Sequence, residues 1–467
     1  MVFSSIAFLI YFLPINLLIY YMLKTRDQRN AVLIVFSLIF YAWGEPVWIS
    51  LMIFSAVVDF LCGRWIAKQT VPLKRRLGLI ASLTSNLGLL GFFKYGGFFV
   101  DNINQLFHLS LPFHTFALPI GISFYTFQTL SYTIDVYRGD VEPNTRFFDF
   151  LLYVSLFHQL VAGPIVRYRD VAHEIRNREE NWSDFSYGVN RFCIGLFKKV
   201  YFGNIAGEIG AVILDGDLTK LSVSAAWLGS ACFALQIYYD FSGYSDMAIG
   251  LGRMVGFHYR ENFNYPYISE SISAFWRRWH ISLGSFFRDY VYIPLGGNRK
   301  RFFWNMAVVW FLTGLWHGAS WNFVLWGLFN GILIFAERWG SRLFRDFSLP
   351  TLIVQPIKHV YFLAAMLVGW MIFYYPAVSD GLTYIGIMFG YGADGLVEPS
   401  TITTIQHHFV FFALAVMGTT PLLEWLWKKL RGHEHLWAET ALHFGLLAIS
   451  LVYLIGQSYN PFLYFRF

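Results

Sequence analysis

Charge and cysteine are both scarce in this sequence. Charged residues occupy 14% of the 467 positions and hydrophobic residues 56%, whereas a soluble domain carries about 25% charged residues. The three cysteines (Cys62, Cys193 and Cys232) lie in apolar stretches without CxxC spacing, which argues against a disulfide framework or a cysteine-held metal. Walker-type phosphate loops, HExxH and GxSxG are absent. These absences exclude an ordinary soluble domain and several common enzyme classes.

The first apolar run lacks the features of a cleaved signal peptide. No basic residue precedes it, no small-residue cleavage site follows it, and Lys24, Arg26 and Arg29 come after it. We therefore expect a first transmembrane helix that stays in the mature protein.

Apolar runs dominate the rest of the chain, and aromatic residues make up 20% of it. A helix needs about 20 mostly apolar residues to cross a bilayer, and several runs are shorter or contain Gly, Pro or charge. The pattern predicts an all-α polytopic membrane protein with roughly 10–12 transmembrane helices plus re-entrant or interfacial helices. It also predicts one membrane domain over residues 1–467.

Short basic clusters predict the orientation. Cytoplasmic loops are enriched in Lys and Arg, so three clusters are placed on that side: Lys24/Arg26/Arg29, Lys74/Arg75/Arg76 and Lys428/Lys429/Arg431. Both termini then lie on the far side of a plasma membrane. The formal charge of +6 is accounted for by orientation in the membrane, and no nucleic-acid partner is expected.

Residues 261–301 depart from the apolar pattern because they mix cations with aromatic residues. Such a segment lies on a membrane surface or lines a polar cavity, since it cannot cross lipid alone. Two interpretations remain open: an orienting loop, or an electropositive vestibule for an anionic substrate such as coenzyme A. The cations are Arg277, Arg278, Arg288, Arg299, Lys300 and Arg301.

Two histidines in apolar sequence are candidates for chemistry. An ionisable group at membrane depth costs about 2.5–3.5 kcal/mol on insertion scales and usually has a function. His317 is flanked by Gly314 and Gly318, which predict free space around it, with Trp316 and Trp321 as walls. A neutral imidazole there is suited to act as a general base. The alternative is a buried histidine held by a backbone carbonyl. His280, among cations, is the second candidate.

Aspartates supply weaker signals. Asp240 and Asp246 bracket FSGYS and are expected to pair with Arg or to bond to Ser and Tyr. Asp215-Gly216-Asp217 has the DxD form that can hold a metal, but no His or Glu cluster surrounds it. No metal site is therefore expected.

Several motifs together resemble the membrane-bound O-acyltransferase family, in particular its bacterial branch that O-acetylates alginate, peptidoglycan and related glycans. A cousin of this branch D-alanylates teichoic acids. The motifs are LPIGISFYTFQTLSY (118–132), HQLVAGPIVR (158–167), YYDFSGYSDMAIGLGRMVGF (238–257), NFNYPY (262–267), FWRRWHISL (275–283) and LWHGASWNF (315–323).

The resemblance implies helices around a central funnel, with His317 as the base and His280 as the second histidine. It implies an acyl thioester donor, expected to be acetyl-CoA, that enters from the cytoplasm without a tightly bound cofactor. Arg277, Arg278, Trp316, Trp321 and Asn322 are the expected donor-binding residues. It also implies an extracytoplasmic SGNH-type acetyltransferase partner that completes transfer to a polysaccharide.

The tail at residues 461–467 ends PFLYFRF. It reads either as an aromatic membrane anchor or, by resemblance to the small peptide of the teichoic-acid system, as an acyl relay through Tyr464. Three other functions remain open: a polytopic transporter, a glycan flippase or polymerase built on Asp215 and Asp217, and a scaffold for an acetylating partner.

Overall fold

A computed structural model describes residues 1–114, 116–160, 163–343, 350–431, 436–456 and 463. Within these ranges the chain is helical and contains no strand, which confirms the all-α prediction. The chain forms two compact units, Met1–Leu196 with Tyr244–Arg260, and Phe197–Gly243 with Glu261–Phe467. The single membrane domain over 1–467 and the interfacial segment 261–301 stay predictions.

The first unit begins with the π-helix Phe8–Phe12 and includes a second one, Gly91–Tyr95. Its α-helices are Leu13–Met22, Arg26–Ala42, Ile49–Lys68, Pro72–Leu90, Gly96–Phe107, Ile122–Arg138, Phe147–Ser155, Phe157–Leu160, Tyr168–Asn177 and Trp182–Phe197. The 32-residue helix Val223–Met254 contributes residues to both units.

The second unit carries both candidate histidines. Its α-helices are Asn204–Leu214, Ile272–Trp276, Ile281–Phe287, Phe302–His317, Trp321–Leu343, Thr351–Tyr374, Val378–Met388, Pro399–His407, Phe409–Gly418, Leu422–Arg431 and Leu436–Gly456. The π-helices Lys198–Gly203 and Arg288–Tyr292 and the 3-10 turns Leu218–Lys220 and Pro266–Ile268 complete it.

Four helical stretches of the described chain are long and apolar enough to cross a membrane: Ile49–Lys68, Pro72–Phe107, Thr351–Tyr374 and Glu439–Gly456. A bent pair, Pro399–His407 with Phe409–Gly418, would add a fifth. In an 18-residue window of Thr351–Tyr374, 17% of the residues are buried, so most side chains of that window are at least partly exposed, as they are where a helix faces lipid; Phe362, Trp370 and Phe373 of the same helix are buried. The predicted count of roughly 10–12 spans stays a prediction, because most helices are shorter than one crossing.

The first basic cluster has a structural role besides orientation. Thr25 caps Arg26–Ala42 in a capping box with Gln28, which satisfies backbone N–H groups at the helix start. Arg26 and Arg29 then bind Glu180 at 2.5 and 2.9 Å. Burial raises the pKa of Glu180, but the hydrogen bonds from Arg26 and Tyr20 outweigh it and bring the pKa to about 2.

Three helices of the first unit share one buried carboxylate. Asp59 accepts hydrogen bonds from Ser82, from Asn86 at 2.8 Å and from Thr133 at 3.2 Å. These partners lie on Pro72–Leu90 and Ile122–Arg138. A buried charge is tolerated when such bonds satisfy it, so this cluster explains one membrane-depth aspartate structurally.

In the second unit, glycines bring two helices into close contact and place His317. A Cβ added at Gly314 would overlap the Phe323 carbonyl, and one at Gly327 would overlap the Trp310 carbonyl. Small residues permit this approach of backbones in membrane helices. Phe302–His317 therefore packs tightly against Trp321–Leu343, and His317 lies at the end of the first helix, where the extended Gly318 turns the chain.

Candidate active site

His317 is enclosed by aromatic rings. Its imidazole lies 5.0 Å from the Trp316 ring, 5.0 Å from Trp326 and 5.2 Å from Phe373, centroid to centroid, in edge-to-face geometry. The side chain is 8% exposed. These rings form a low-polarity wall that fixes the imidazole. His317 thus lies in the protein interior at a helix end; its catalytic role stays a proposal.

The free space predicted beside His317 is filled by another side chain. Gly314 and Gly318 were expected to leave free volume there, but Phe323 occupies it: a Cβ on Gly318 would overlap the Phe323 ring. The glycines serve close packing between helices, which the local sequence cannot distinguish from a cavity. This expectation was wrong.

His280 lies in the turn between Ile272–Trp276 and Ile281–Phe287, with φ 45° and ψ 53°. Left-handed backbone is uncommon for a residue with a Cβ and costs energy that the surroundings must offset. The imidazole stacks edge-on against Phe241 at 4.6 Å and lies 5.6 Å from Trp316. The histidines, 37 positions apart in the sequence, thus lie on the same indole.

The other predicted residues of LWHGASWNF occupy different environments. Trp316 is buried between the two histidines. Trp321 is 53% exposed at the start of Trp321–Leu343. Asn322 is buried, and its Nδ2 donates to the Phe373 carbonyl at 3.0 Å, so it helps hold a ring that contacts His317. Donor binding by these three residues stays a prediction.

A cavity of about 1420 Å³ opens within the second unit. Trp276 and Ile281 line it, and Ile281 directly follows His280. The Trp276 ring lies 5.4 Å from Trp326, which in turn contacts His317. The cavity therefore ends one aromatic layer from the histidines.

Positive charge exceeds negative charge on the cavity wall. Four cations line it, together with two carboxylates: Arg277, Arg288, Arg338, Lys358, Glu270 and Glu337. Glu337 is occupied by backbone N–H groups of Ile272 and Ser273 at 2.6 and 3.1 Å. The remaining field favours an anionic ligand.

The two predicted donor-binding arginines have different surroundings. Arg277 lines the cavity, whereas Nη1 of Arg278 donates to the Asn264 carbonyl at 3.0 Å, and Arg278 is not among the cavity-lining residues. Adjacent residues at the end of a short helix point in different directions. Sequence alone does not reveal this difference, and donor binding was therefore predicted for both arginines.

The four aspartates have structural partners. Asp246 pairs with Arg191 at 2.7 Å, as expected, whereas Asp240 pairs with a lysine, Lys199, at 2.9 Å. Asp215 accepts from the Tyr374 hydroxyl at 2.6 Å, and Asp217 caps Thr219. In the described part of the chain, no group of three or more His, Cys, Asp or Glu residues could hold a metal.

Tyr464 lies outside the described residues. Its neighbour Leu463 is described, and it is buried at 3% exposure in the core of the second unit. The Leu463 N–H points to Oδ2 of Asp240 at 3.4 Å. The chain next to Tyr464 is thus held at the Lys199–Asp240 pair.

Several residues around the histidines were missed by sequence reasoning. Trp326, Phe373, Arg338 and Lys358 lie on helices far along the chain from 275–283, and no local pattern links them to it. Asn262 could have been recognised as a candidate site residue, because it is the first residue of the NFNYPY motif and a polar residue in an aromatic stretch.

The all-α chain thus contains two buried histidines on one indole, with an electropositive cavity beside them. Residues 142–378 match the profile of MBOAT, the membrane-bound O-acyltransferase family. The chain belongs to this family, and it is a multi-pass membrane O-acyltransferase.

Three relatives show which members of the family this chain is similar to. The chain is 38% identical over its whole length to the whole of the probable alginate O-acetylase AlgI of Pseudomonas putida. It is 31% identical to the peptidoglycan O-acetyltransferase of Helicobacter pylori, over 100% of this chain and 98% of that protein. The teichoic acid D-alanyltransferase of Bacillus subtilis is 28% identical over 248 residues, which are 50% of this chain and 62% of that protein.

Proposed function

We propose that this chain transfers an acetyl group from a cytoplasmic thioester, acetyl-CoA, for O-acetylation of an extracytoplasmic polysaccharide such as alginate. The placement of His280 and His317 on Trp316, beside a cationic cavity, carries the proposal. The names of the full-length relatives support the acetyl group and the polysaccharide. Alternative acceptors are peptidoglycan, cellulose or another cell-surface glycan.

The reaction follows from what an interior imidazole can do. His317 takes the proton from an attacking hydroxyl as its oxygen bonds to the thioester carbonyl carbon. The C–S bond then breaks, and the proton on His317 passes to the departing thiolate, which yields an ester and a free thiol. General-base assistance contributes about 10²–10⁴-fold in rate, and juxtaposition of donor and acceptor adds an effective molarity of about 10⁵ M or more.

The donor occupies the cavity in this proposal. Its phosphates meet Arg277, Arg338 and Lys358, and its acyl arm extends past Trp276 and Trp326 toward His317. We infer from the basic clusters that the donor approaches from the cytoplasmic side of an inner membrane and that the C-terminal tail belongs on the other side. An SGNH-type partner outside the membrane then completes transfer to the polymer.

Arg277→Ala is expected to raise KM for acetyl-CoA about 3–10-fold with little change in kcat, because a partly exposed phosphate contact supplies uniform binding. Initial rates with the purified protein measure it. Arg278→Ala is the matched control, and its effect should be smaller because its guanidinium binds Asn264. Acetyl-pantetheine, which lacks the nucleotide phosphates, should abolish the difference; an equal defect with both donors would contradict the phosphate contact.

The acyl relay is proposed at Tyr464. Leu463, next to Tyr464 in the sequence, is anchored at Asp240 in the same unit as both histidines, and this contact supports the proposal. The Tyr464 hydroxyl would be the first acceptor, and the resulting tyrosyl ester would then be passed to the partner.

Tyr464→Phe is expected to abolish label on the protein after incubation with radiolabelled acetyl-CoA and to abolish polymer acetylation in cells. Peptide mapping of the label measures the first effect. Tyr391→Phe is the control, because Tyr391 is 80% exposed elsewhere in the second unit. Full polymer acetylation by the Tyr464 variant would rule out the relay.

Liposomes distinguish the enzyme from a transporter or scaffold. Purified protein should release free CoA and form an acyl ester in the presence of labelled acetyl-CoA. Movement of label across the bilayer without acyl transfer would favour a carrier, and absence of both would favour a scaffold.

A further inference from the structure

Asn262 is buried against the turn that carries His280. Its backbone carbonyl accepts the Ile281 N–H at 3.0 Å. Its side-chain Oδ1 accepts the Ser282 N–H at 3.1 Å and the Ser282 hydroxyl at 2.9 Å, and it lies 3.2 Å from Nδ1 of His280. One asparagine therefore binds three consecutive residues of the turn.

These contacts settle which Asn262 atom faces the imidazole. A backbone N–H can only donate, so the side-chain atom bonded to Ser282 N must be the carbonyl oxygen. This oxygen can only accept, and Nδ1 of His280 must therefore carry a hydrogen. The Ser282 hydroxyl does not replace that hydrogen, because it is closer to Oδ1 (2.9 Å) than to Nδ1 (3.4 Å).

A neutral imidazole carries one ring hydrogen. With that hydrogen on Nδ1, the lone pair is on Nε2. Carbonyl polarisation by neutral His280 would require a hydrogen on Nε2 instead, so this tautomer argues against that role.

Asn262 also stabilises the backbone of the turn that carries His280. His280 is in the left-handed region at φ 45°, which side chains with a Cβ rarely adopt. Asn262 binds the N–H groups of both residues that follow, Ile281 and Ser282. These contacts of Asn262 therefore stabilise both the left-handed backbone of His280 and the tautomer of its ring.

We infer that Asn262 is a positioning residue that fixes His280 as the Nδ1–H tautomer, so that Nε2 accepts a hydrogen bond from an N–H or O–H group of the substrate. This inference rests on the proposed acyl transfer for its functional consequence. The tautomer itself does not depend on it.

Solid-state NMR of protein labelled with nitrogen-15 histidine tests the tautomer without any reaction. In liposomes at mildly alkaline pH, the spectrum of the His280→Gln variant is subtracted from that of the wild type. The missing signals should belong to an imidazole protonated at Nδ1. Signals of an Nε2-protonated ring would overturn the inference even if the wild type transfers acetyl groups, so the two proposals fail separately.

The pH profile tests the functional part. Among the contacts that the structure describes around His280, Phe241, Asn262, Ser282 and Trp316 carry no charge, and His317 is a titratable neighbour. Asn262→Asp keeps the acceptor but adds a negative charge, which favours imidazolium. Nε2 can accept a hydrogen bond only when the imidazole is neutral. The acid limb of the pH profile of kcat should therefore move to higher pH by about one unit or more.

Two further variants separate positioning from folding. Asn262→Leu should lower kcat about 10-fold or more, because acid–base and hydrogen-bonding groups contribute about 10²–10⁴-fold. Asn262→Asp should recover part of this loss at high pH. Ser282→Ala, which removes one other bond to the same oxygen, should leave the acid limb in place. An unshifted acid limb in Asn262→Asp, or wild-type kcat in Asn262→Leu, would overturn the role.

Discussion

Replacing His317 with alanine is expected to abolish measurable acyl transfer, a loss of about 10²–10⁴-fold in kcat. The imidazole is enclosed by Trp316, Trp326 and Phe373, so water cannot substitute for it freely as a base. Release of free CoA from acetyl-CoA by the purified protein measures the effect. KM for the donor should change little, because the cationic cavity is intact.

Alanine also leaves a void among three rings, and voids in a core lower stability. His317→Gln retains most of the volume and removes the base, so it should be as inactive as His317→Ala while unfolding near the wild-type temperature. His407→Ala is the matched control, since His407 is exposed at the end of Pro399–His407. An active His317→Gln protein would assign His317 to packing.

Asp240→Asn is expected to lower the free energy of unfolding by about 3–5 kcal/mol, because it leaves the buried Lys199 charge without the carboxylate that neutralises it. Lys199 and Asp240 are 1% and 2% exposed, so solvent cannot compensate. Thermal unfolding of the purified protein in detergent, followed by tryptophan fluorescence, measures the loss. The apolar double variant Lys199→Met/Asp240→Leu should recover most of it, since apolar replacement of a buried pair is often neutral.

The other aspartate of the same motif is an internal control. Asp246 pairs with Arg191, whose side chain is 23% exposed, so Asp246→Asn should cost less. Asp240→Asn as stable as Asp246→Asn would mean that neutral groups such as Asn204, which already accepts from Lys199 at 2.6 Å, are enough to hold the Lys199 charge. The double variant also removes the acceptor for Leu463, so it should impair polymer acetylation even where stability is regained.

Sequence reasoning predicted the helical membrane class, which is confirmed, because an apolar run long enough for a bilayer has few physical explanations. It also singled out His280 and His317, and the structure buries both; their roles stay predictions. For Asp240 and Asp246 it predicted pairing with Arg or bonds to Ser and Tyr, since a buried carboxylate needs a partner; Asp246 pairs with Arg191, whereas Asp240 pairs with Lys199.

Contacts between distant segments could not be predicted in this way. Gly314 and Gly318 indicated free space, yet Phe323 fills it from the next helix. Arg277 and Arg278 were equivalent in sequence, yet only Arg277 lines the cavity. Arg338 and Lys358 join it from two later helices, which no spacing rule connects.

The sequence by itself determined that this protein is a helical membrane protein, because lipid imposes its composition on every residue of a span. Only the tertiary structure decided what surrounds His280 and His317: which indole lies between the histidines, which arginine faces the cavity, and which ring nitrogen of His280 carries the hydrogen. Those are set by packing and hydrogen-bond direction between segments far apart in the chain, and neither leaves a periodic trace in sequence.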